Sequence, residues 1–472
     1  MKISNNTCSA TIVEYYITPY TKGCFMEKNL TTGSVFKNTV LFSLPFLLSY
    51  FLQTLYGMAD LFIVGQFDGT ASITAVAIGS QIMHMITVMI VGLAMGSTVA
   101  IGRAVGEGRH DKAAGAAGNT ASLFLAGSVI FAAVLILLVK PLTALLATPQ
   151  EAVRGTVQYL VICFAGIPFI TAYNVISSIY RGLGDSKSPM YFVAIACVIN
   201  IALDYLFIGA MDMGAAGAAL GTTLSQAVSA GIALAAIAAG KSGIRPALSD
   251  FKFKWDVIAP ILRVGVPISL QDGFIQIAFI VITIIANMRG LNDAAAVGIV
   301  EKIICMLFLV PSSMISAVSA LAAQNIGAKR YDRAQKTLLY AILISSGFGV
   351  LTILVSELYA PGIVGLFEND PEVIRLGSQY LRGYVTDALI AGIHFCFSGY
   401  FCACEHSEIS FLHNSISIIF VRIPGSWLAS KLYADTLFPM GLAAPAGSLL
   451  SVVICVVAFI ILEKRRRKAL YE

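Results

Sequence analysis

The amino-acid sequence predicts an all-α membrane protein: twelve transmembrane helices in two pseudo-symmetric six-helix bundles. Three observations carry the prediction. Of 472 residues, 57% are hydrophobic and only 12% charged, about half the charged share of a soluble domain, so water is a poor solvent for the folded surface. The apolar residues come in long unbroken runs rather than the short alternating segments of a transmembrane barrel. Each run reaches the roughly 20 residues that a helix needs to cross hydrocarbon with its backbone polar groups satisfied internally. The third observation is an internal repeat. Ala104-Val105-Gly106-Glu107-Gly108-Arg109-His110-Asp111-Lys112-Ala113 returns as Asn325-Ile326-Gly327-Ala328-Lys329-Arg330-Tyr331-Asp332-Arg333-Ala334, with Gly, Arg, Asp and Ala matching at an offset of 221, and Pro45 stands opposite Pro267 at an offset of 222.

In chain order the spans are 37–64, 73–98, 118–140, 156–181, 188–210, 214–240, 256–287, 293–318, 337–361, 374–403, 408–431 and 440–463. Several are longer than a perpendicular crossing needs, which suits tilted helices. Spans five and six are joined by a tight turn near Gly209-Ala210-Met211-Asp212. An even number of spans puts both tails on one side of the bilayer, and lysine and arginine choose that side. They gather in the segments on the tail side, most densely at Lys329, Arg330, Arg333 and Lys336, in the 241–254 loop, and in the run Lys464-Arg465-Arg466-Arg467-Lys468. Both termini are therefore expected in the cytoplasm, with the chain multi-pass in a bacterial inner (cytoplasmic) membrane. The expected organisation is an N-terminal tail at 1–36, a first lobe at 37–240, a cytoplasmic linker at 241–255, a second lobe at 256–463 and a basic tail at 464–472. The first 36 residues lack the compact apolar core and small-residue cleavage site of a signal peptide, and Met26 stands just ahead of the first span as an alternative start. The basic tail reads as a topology anchor rather than a nucleic-acid or anionic-lipid surface, so the expected contacts are membrane lipid and no nucleic acid.

Two six-helix repeats of the same orientation form a transporter architecture, with substrate handled between the halves. Further fragments sharpen this. Pro45 is followed fifteen residues later by Asp60, Tyr180-Arg181-Gly182-Leu183-Gly184-Asp185-Ser186-Lys187-Ser188-Pro189 closes span four and opens span five, and Asn200-Ile201-Ala202-Leu203-Asp204-Tyr205 follows. In order and spacing these resemble the MATE (multidrug and toxic compound extrusion) family of bacterial type, over roughly residues 35–463. The resemblance implies cation-coupled antiport: export of small organic, often cationic compounds against inward H⁺ or Na⁺, by alternating access between two lobes. No organic cofactor is expected, only the coupling ion, and the expected state is a monomer.

An ionisable side chain in hydrocarbon costs about 2.5–3.5 kcal/mol on insertion scales and so calls for a partner or a function. Five acids lie well inside the spans: Asp60, Asp204, Asp272, Glu301 and Asp387. A rise of about 1.5 Å per residue brings Asp60, Asp204 and Thr222 to the outer half of the first lobe, and Asn200 and Asp204, four apart, share a helical face. Asp60, Asn200, Asp204 and Thr222 then offer two carboxylates, an amide and a hydroxyl, a hard-oxygen set for a small cation or for a proton shared between two carboxylates. The resemblance attributes cation or proton binding to the matching positions, although Ser177 stands where some relatives carry Asn. The plainer alternative is interhelical hydrogen bonding. In the second lobe Asp387 lies twelve residues before Gly399, as in sodium-coupled relatives. Those relatives also carry a Glu where this chain has Ile275. Asp272, one turn earlier, is the candidate substitute, and Glu301 the candidate third member unless Lys302 neutralises it.

Pro45 and Pro267 permit kinks, and Pro45 is a candidate hinge, the first helix of the family being reported to bend with protonation. Tyr50, Tyr56, Met58 and Met89 are candidate substrate contacts, adaptable to apolar cations, and Tyr56 and Met58 are carried forward. His84 and His394 read as hydrogen-bonded packing residues. The nine cysteines fall mostly in apolar runs, and Cys402-Ala-Cys404 has no second pair to make a zinc site, so no metal beyond Na⁺ is expected. Ala114-Gly115-Ala116-Ala117-Gly118 lacks the Lys-Ser/Thr of a phosphate loop. Gly217 and Gly221 suit a small-residue packing face. No enzyme is expected. The rival functions are a lipid-linked oligosaccharide flippase, for which Arg382 and Arg422 are candidate cavity cations, a non-transport membrane protein such as a membrane-embedded enzyme, and a channel.

Overall fold

The computed structural model describes residues 29–146, 148–239 and 247–471. Positions 1–28 of the expected N-terminal tail, with the alternative start at Met26, and positions 241–246 of the expected linker lie outside the described residues. All regular structure among the described residues is helical. The first half comprises α1 (Val35–Phe67), α2 (Thr70–Gly106), α3 (His110–Leu145), α4 (Gln150–Gly182), α5 (Lys187–Ala210) and α6 (Gly214–Ala238). The second comprises α7 (Trp255–Asn287), α8 (Leu291–Gly327), α9 (Tyr331–Val364), α10 (Pro371–Ala403), α11 (Ser407–Ser417, Ile418–Arg422 and Ile423–Leu432) and α12 (Phe438–Tyr471). Every helix but α11 is long and apolar enough on its own to cross a bilayer, while α11 is divided by a π-helical turn at Ile418–Arg422. A second π-helical turn, Tyr205–Ala210, ends α5 directly after Asp204. Large apolar side chains such as Phe62, Ile130, Leu137, Leu354 and Phe420 stand exposed around the perimeter, where a bilayer is the solvent that accepts them.

The helices run past the apolar spans at their polar ends. α3 begins at His110 rather than near 118, and α9 at Tyr331 rather than near 337. Hydropathy registers only the apolar centre, whereas the hydrogen-bond ladder continues into solvent. Asp111 and Asp332 sit in the first turns of these two helices, where the positive end of the helix dipole favours an acid.

The repeat extends to the backbone. Arg109 N donates to Ala104 O at 2.9 Å, and at the matching positions of the second half Arg330 N donates to Asn325 O at 2.8 Å. Gly108 (φ 71°) and Lys329 (φ 57°) hold the left-handed residue of these two helix closures. The next tail-side loop repeats the device: Asp185 N donates to Tyr180 O and His406 N to Phe401 O, with Gly184 (φ 88°) and Glu405 (φ 63°) in the left-handed position.

The halves meet along a seam of α2 against α7 and α8. A Cβ on Gly96 would collide with the Ile261 carbonyl, one on Gly265 with that of Leu93, one on Gly106 with that of Gln324, and one on Gly327 with that of Arg103. Backbones this close demand glycine. Toward the tail side the seam is bolted by Gln324 Nε2 to Gly182 O (2.9 Å), Leu30 N to Gln324 Oε1 (3.3 Å), Arg330 Nη1 to Thr31 O (2.8 Å) and the Arg103–Glu405 ion pair. The first and last described stretches of the chain meet at this end, since Arg466 of α12 stacks 4.4 Å over the Tyr331 ring beside the strapped residues 30–33. α5 and α6 make no substantial contact with α7–α12 along their length. The described part of the linker is held by Asn119, which donates to Asp250 O at 3.0 Å and accepts from Lys254 N at 2.8 Å.

Both sequence-marked prolines lie inside helices. α1 runs unbroken through Pro45. Pro267 cannot donate to the Arg263 carbonyl one turn back, and the Ser407 hydroxyl does so instead at 3.0 Å.

Candidate cation and substrate site between the halves

A cavity of about 380 Å³ lies above the seam, walled by both halves. Tyr50, Tyr56 and Asp60 of α1 face Asp272 of α7, Phe308 of α8 and Phe395 of α10. Asp60 and Asp272 are the only carboxylates on this wall, and no lysine or arginine lines it among the described residues. Tyr50 closes its tail-side floor through a 2.8 Å hydrogen bond to Ser316 of the second half. His84 also reaches the wall.

The four first-lobe candidates form one cluster. Asp204, Thr222 and Asn200 all lie within reach of the Asp60 carboxyl, and the Thr222 hydroxyl donates to Asp60 Oδ2 at 3.1 Å. Three helices converge here: α1 brings Asp60, α5 brings Asn200 and Asp204 one turn apart, and α6 brings Thr222. All but Thr222 are buried. Gly221 lets α6 approach, because a Cβ there would fall on Asp204 Oδ1. Asp60 Oδ1, both Asp204 oxygens and both polar atoms of Asn200 are buried without a hydrogen-bond partner. Buried polar groups are ordinarily satisfied, so this concentration of acceptors fits a proton or a small hard cation held between oxygens. Asp60 and Thr222 reach the cavity wall while Asp204 and Asn200 stand behind them. Ser177 is buried with its hydroxyl unpartnered and is not among the side chains that reach Asp60.

The second-lobe candidates do not gather into one site. Asp387 accepts from Arg422 Nη2 at 2.8 Å in a buried ion pair, so its charge is already matched. Glu301 accepts from Thr283 at 3.1 Å, with no ion pair to Lys302. Asp272 stands apart, against Gly92 of α2, on the cavity wall. The expectation of a shared second-lobe cation site on Asp387, Asp272 and Glu301 is therefore corrected to three separate settings. Of the substrate candidates, Tyr50 and Tyr56 line the cavity, and Gln226 donates to the Tyr56 hydroxyl at 3.4 Å. Met58 does not line it: it points outward, 46% exposed. Met89 packs against Gly273. His394 is buried against His413, ring to ring at 5.4 Å. Neither candidate flippase cation is on the wall, since Arg382 pairs with Glu357 and Arg422 with Asp387. Sequence reasoning missed Gln226, Gln271 and Tyr159 on the cavity wall, residue types too common in spans to stand out. The described cysteines are free, and no group of three or more metal-ligating side chains occurs among the described residues.

The MatE family model matches this sequence twice, over residues 45–206 and again over 267–428. The chain belongs to the MATE family. The second match starts and ends at one offset, 222, from the first, so the family unit is one half of the molecule and the sequence repeat is that unit duplicated. This MATE chain is 30% identical over 415 residues to the probable multidrug resistance protein YpnP of Bacillus subtilis, covering 85% of this chain and 91% of that one. It is 26% identical over 411 residues to the probable multidrug resistance protein NorM of Thermotoga maritima, covering 84% and 86%. Among solved structures it resembles a MOP superfamily transporter from Pyrococcus furiosus, described as having a binding pocket of reversed polarity that suggests a different function. The TM-score is 0.87 at 23% identity, over 94% of this chain and 98% of that one. MATE proteins are transporters and not enzymes, and this one is a multi-pass membrane protein.

Proposed function

We propose that this MATE protein exports small organic, often cationic compounds from the bacterial cytoplasm, driven by inward H⁺ or Na⁺ bound at Asp60, Asp204, Asn200 and Thr222. The observation that carries the reading is the central cavity, an aromatic chamber whose only formal charges are two carboxylates, one belonging to the buried acid cluster. Aromatic faces and a carboxylate suit an apolar cation. Names of relatives as multidrug resistance proteins support the same substrate class. The gradient of basic residues supports an orientation with both tails in the cytoplasm, in which the bolted seam is the cytoplasmic closure and the cavity above it opens outward. Filling the cluster neutralises its charge and allows α1, α5 and α6 to repack, with Pro45 as the point where α1 bends. Ion and cargo need not bind together, provided each prefers a different lobe arrangement. Because Asp60 faces both cluster and cavity, an arriving ion weakens the hold on a cationic cargo. No lipid or nucleic-acid substrate is required, and one chain suffices.

Dye efflux from inverted membrane vesicles under an imposed pH or sodium gradient tests this. Asp60→Asn should abolish gradient-driven efflux at normal expression. Efflux equal to the parent would remove Asp60 from the mechanism.

A further inference from the structure

The second half holds a buried charge pair that the coupling reading leaves unused. Asp387 follows the break in α10 at Thr386 and is fully buried, and Arg422 closes the π-helical turn of α11. Their 2.8 Å contact crosses the core of the half. Tyr380, Tyr384 and His394 of α10 lie within electrostatic reach of the guanidinium, and Glu301 of α8 within reach of the two tyrosines. Asp387 Oδ1, Tyr384 Oη and Arg422 Nε are buried and unpartnered.

The repeat gives this pair its meaning. Arg422 stands opposite Asn200 at an offset of 222, the spacing at which the two family matches begin and end. α5 and α11 begin 220 residues apart, at Lys187 and Ser407, and end 222 apart, at Ala210 and Leu432, with their π-helical turns at different registers. Each carries a π-helical turn, an insertion that re-aims side chains and that recurs at functional sites. At this position the first half has a neutral amide beside two carboxylates, of which Asp60 takes one hydrogen bond from Thr222 and Asp204 takes none. The second half has a guanidinium seated on a carboxylate. An arginine cannot shed its proton in a protein, so the positive charge there is built into the chain.

We propose that Arg422 is a tethered cation that takes the place of a free ion on Asp387 in the core of the second half, which confines ion coupling to the first half and leaves Asp387 as a latent site for a small cation. The proposal rests on the coupling reading above for its mechanistic meaning but not for its test. Removing one partner of a buried ion pair leaves the other uncompensated, and in Arg422→Gln the stranded carboxylate is flanked by the new amide and the Ser448 hydroxyl, oxygen ligands of the kind sodium takes.

The test uses full-length purified protein, with thermal unfolding followed in sodium, lithium or potassium chloride against choline chloride at equal ionic strength, and at two pH values. All variants carry Asp60→Asn, to silence the first-half site. With Arg422 intact the midpoint should be indifferent to which cation is present. Arg422→Gln should gain a saturable upward shift with a metal ion or with added protons, and Asp387→Asn/Arg422→Gln should lose it. An Arg422→Gln midpoint as indifferent as its parent's, or a gain that survives Asp387→Asn, overturns the proposal. So does an Arg422→Gln chain that fails to fold in every salt while the neutral double variant folds, because the pair is then structural glue. Failure of the coupling reading shows elsewhere, as gradient-driven efflux by Asp60→Asn alone.

Discussion

At the scale of single residues, the cluster depends on a side chain that is missing. Gly221 presses against Asp204, so Gly221→Ala places a methyl on the carboxylate. Overpacking of this kind costs about 1–3 kcal/mol, and the expected outcome is a lowered thermal midpoint together with loss of gradient-driven efflux. Gly231 on the same helix has open space around it, so Gly231→Ala should keep efflux and hold or raise stability, alanine being favoured over glycine in a helix by about 1 kcal/mol. Loss of function in both variants would show that α6 tolerates no methyl anywhere and that Asp204 is not the reason. The four cluster residues were legible in the sequence because acids inside apolar runs are rare and because helical rise fixes their depth. The Asp387–Arg422 pair was not. Both residues were noticed, but their contact depends on the turn of α11 at Ile418–Arg422, and no hydropathy pattern announces an extra residue in a helix. The one sequence signal was the offset of 222 that aligns Arg422 with Asn200, and it gains weight only once Asn200 is seen beside Asp60.

At the scale of elements, the two halves close equivalent helices with unequal residues. Gly108 ends α2 in the left-handed conformation without penalty, whereas Lys329 ends α8 in the same conformation with a Cβ. That conformation costs an ordinary residue about 1–2 kcal/mol. Lys329→Gly should therefore raise the thermal midpoint, by the equivalent of up to about 1 kcal/mol after the greater freedom of the unfolded glycine is subtracted. Gly108→Lys should lower it. An unchanged midpoint in Lys329→Gly would mean that the loop relaxes its strain in solution. The number and order of helices were legible because long apolar runs have few other fates. Their ends were not, since the last turns are polar, as at His110–Ala113 and Tyr331–Ala334. The divisions of α8, α10 and α11 were equally hidden, because residues such as Phe308 and Thr386 are unremarkable in a helical span.

At the scale of the whole molecule, closure at the tail side rests on few polar contacts, and among the described residues the Arg103–Glu405 pair is the one that sets formal charge against charge across the halves. With side chains 28% and 39% exposed, it is worth no more than about 1 kcal/mol, or about a fivefold shift between states. Arg103→Glu replaces that attraction with repulsion and should slow efflux several-fold, with recovery in the swapped Arg103→Glu/Glu405→Arg variant. Failure of the swap to recover would assign Arg103 a role other than latching. The glycine seam beneath the cavity has its own consequence. Gly96 and Gly265 bring α2 and α7 to near backbone contact at a level between the cavity and the latch, with no side chain at the two closest positions. Such a line is a fulcrum, and the lobes above and below it are the two arms of a seesaw. In the proposed transport cycle, tilting them together over the cavity prises them apart at the other end, so the two mouths cannot gape at once, and leakage is opposed by leverage rather than by a separate gate.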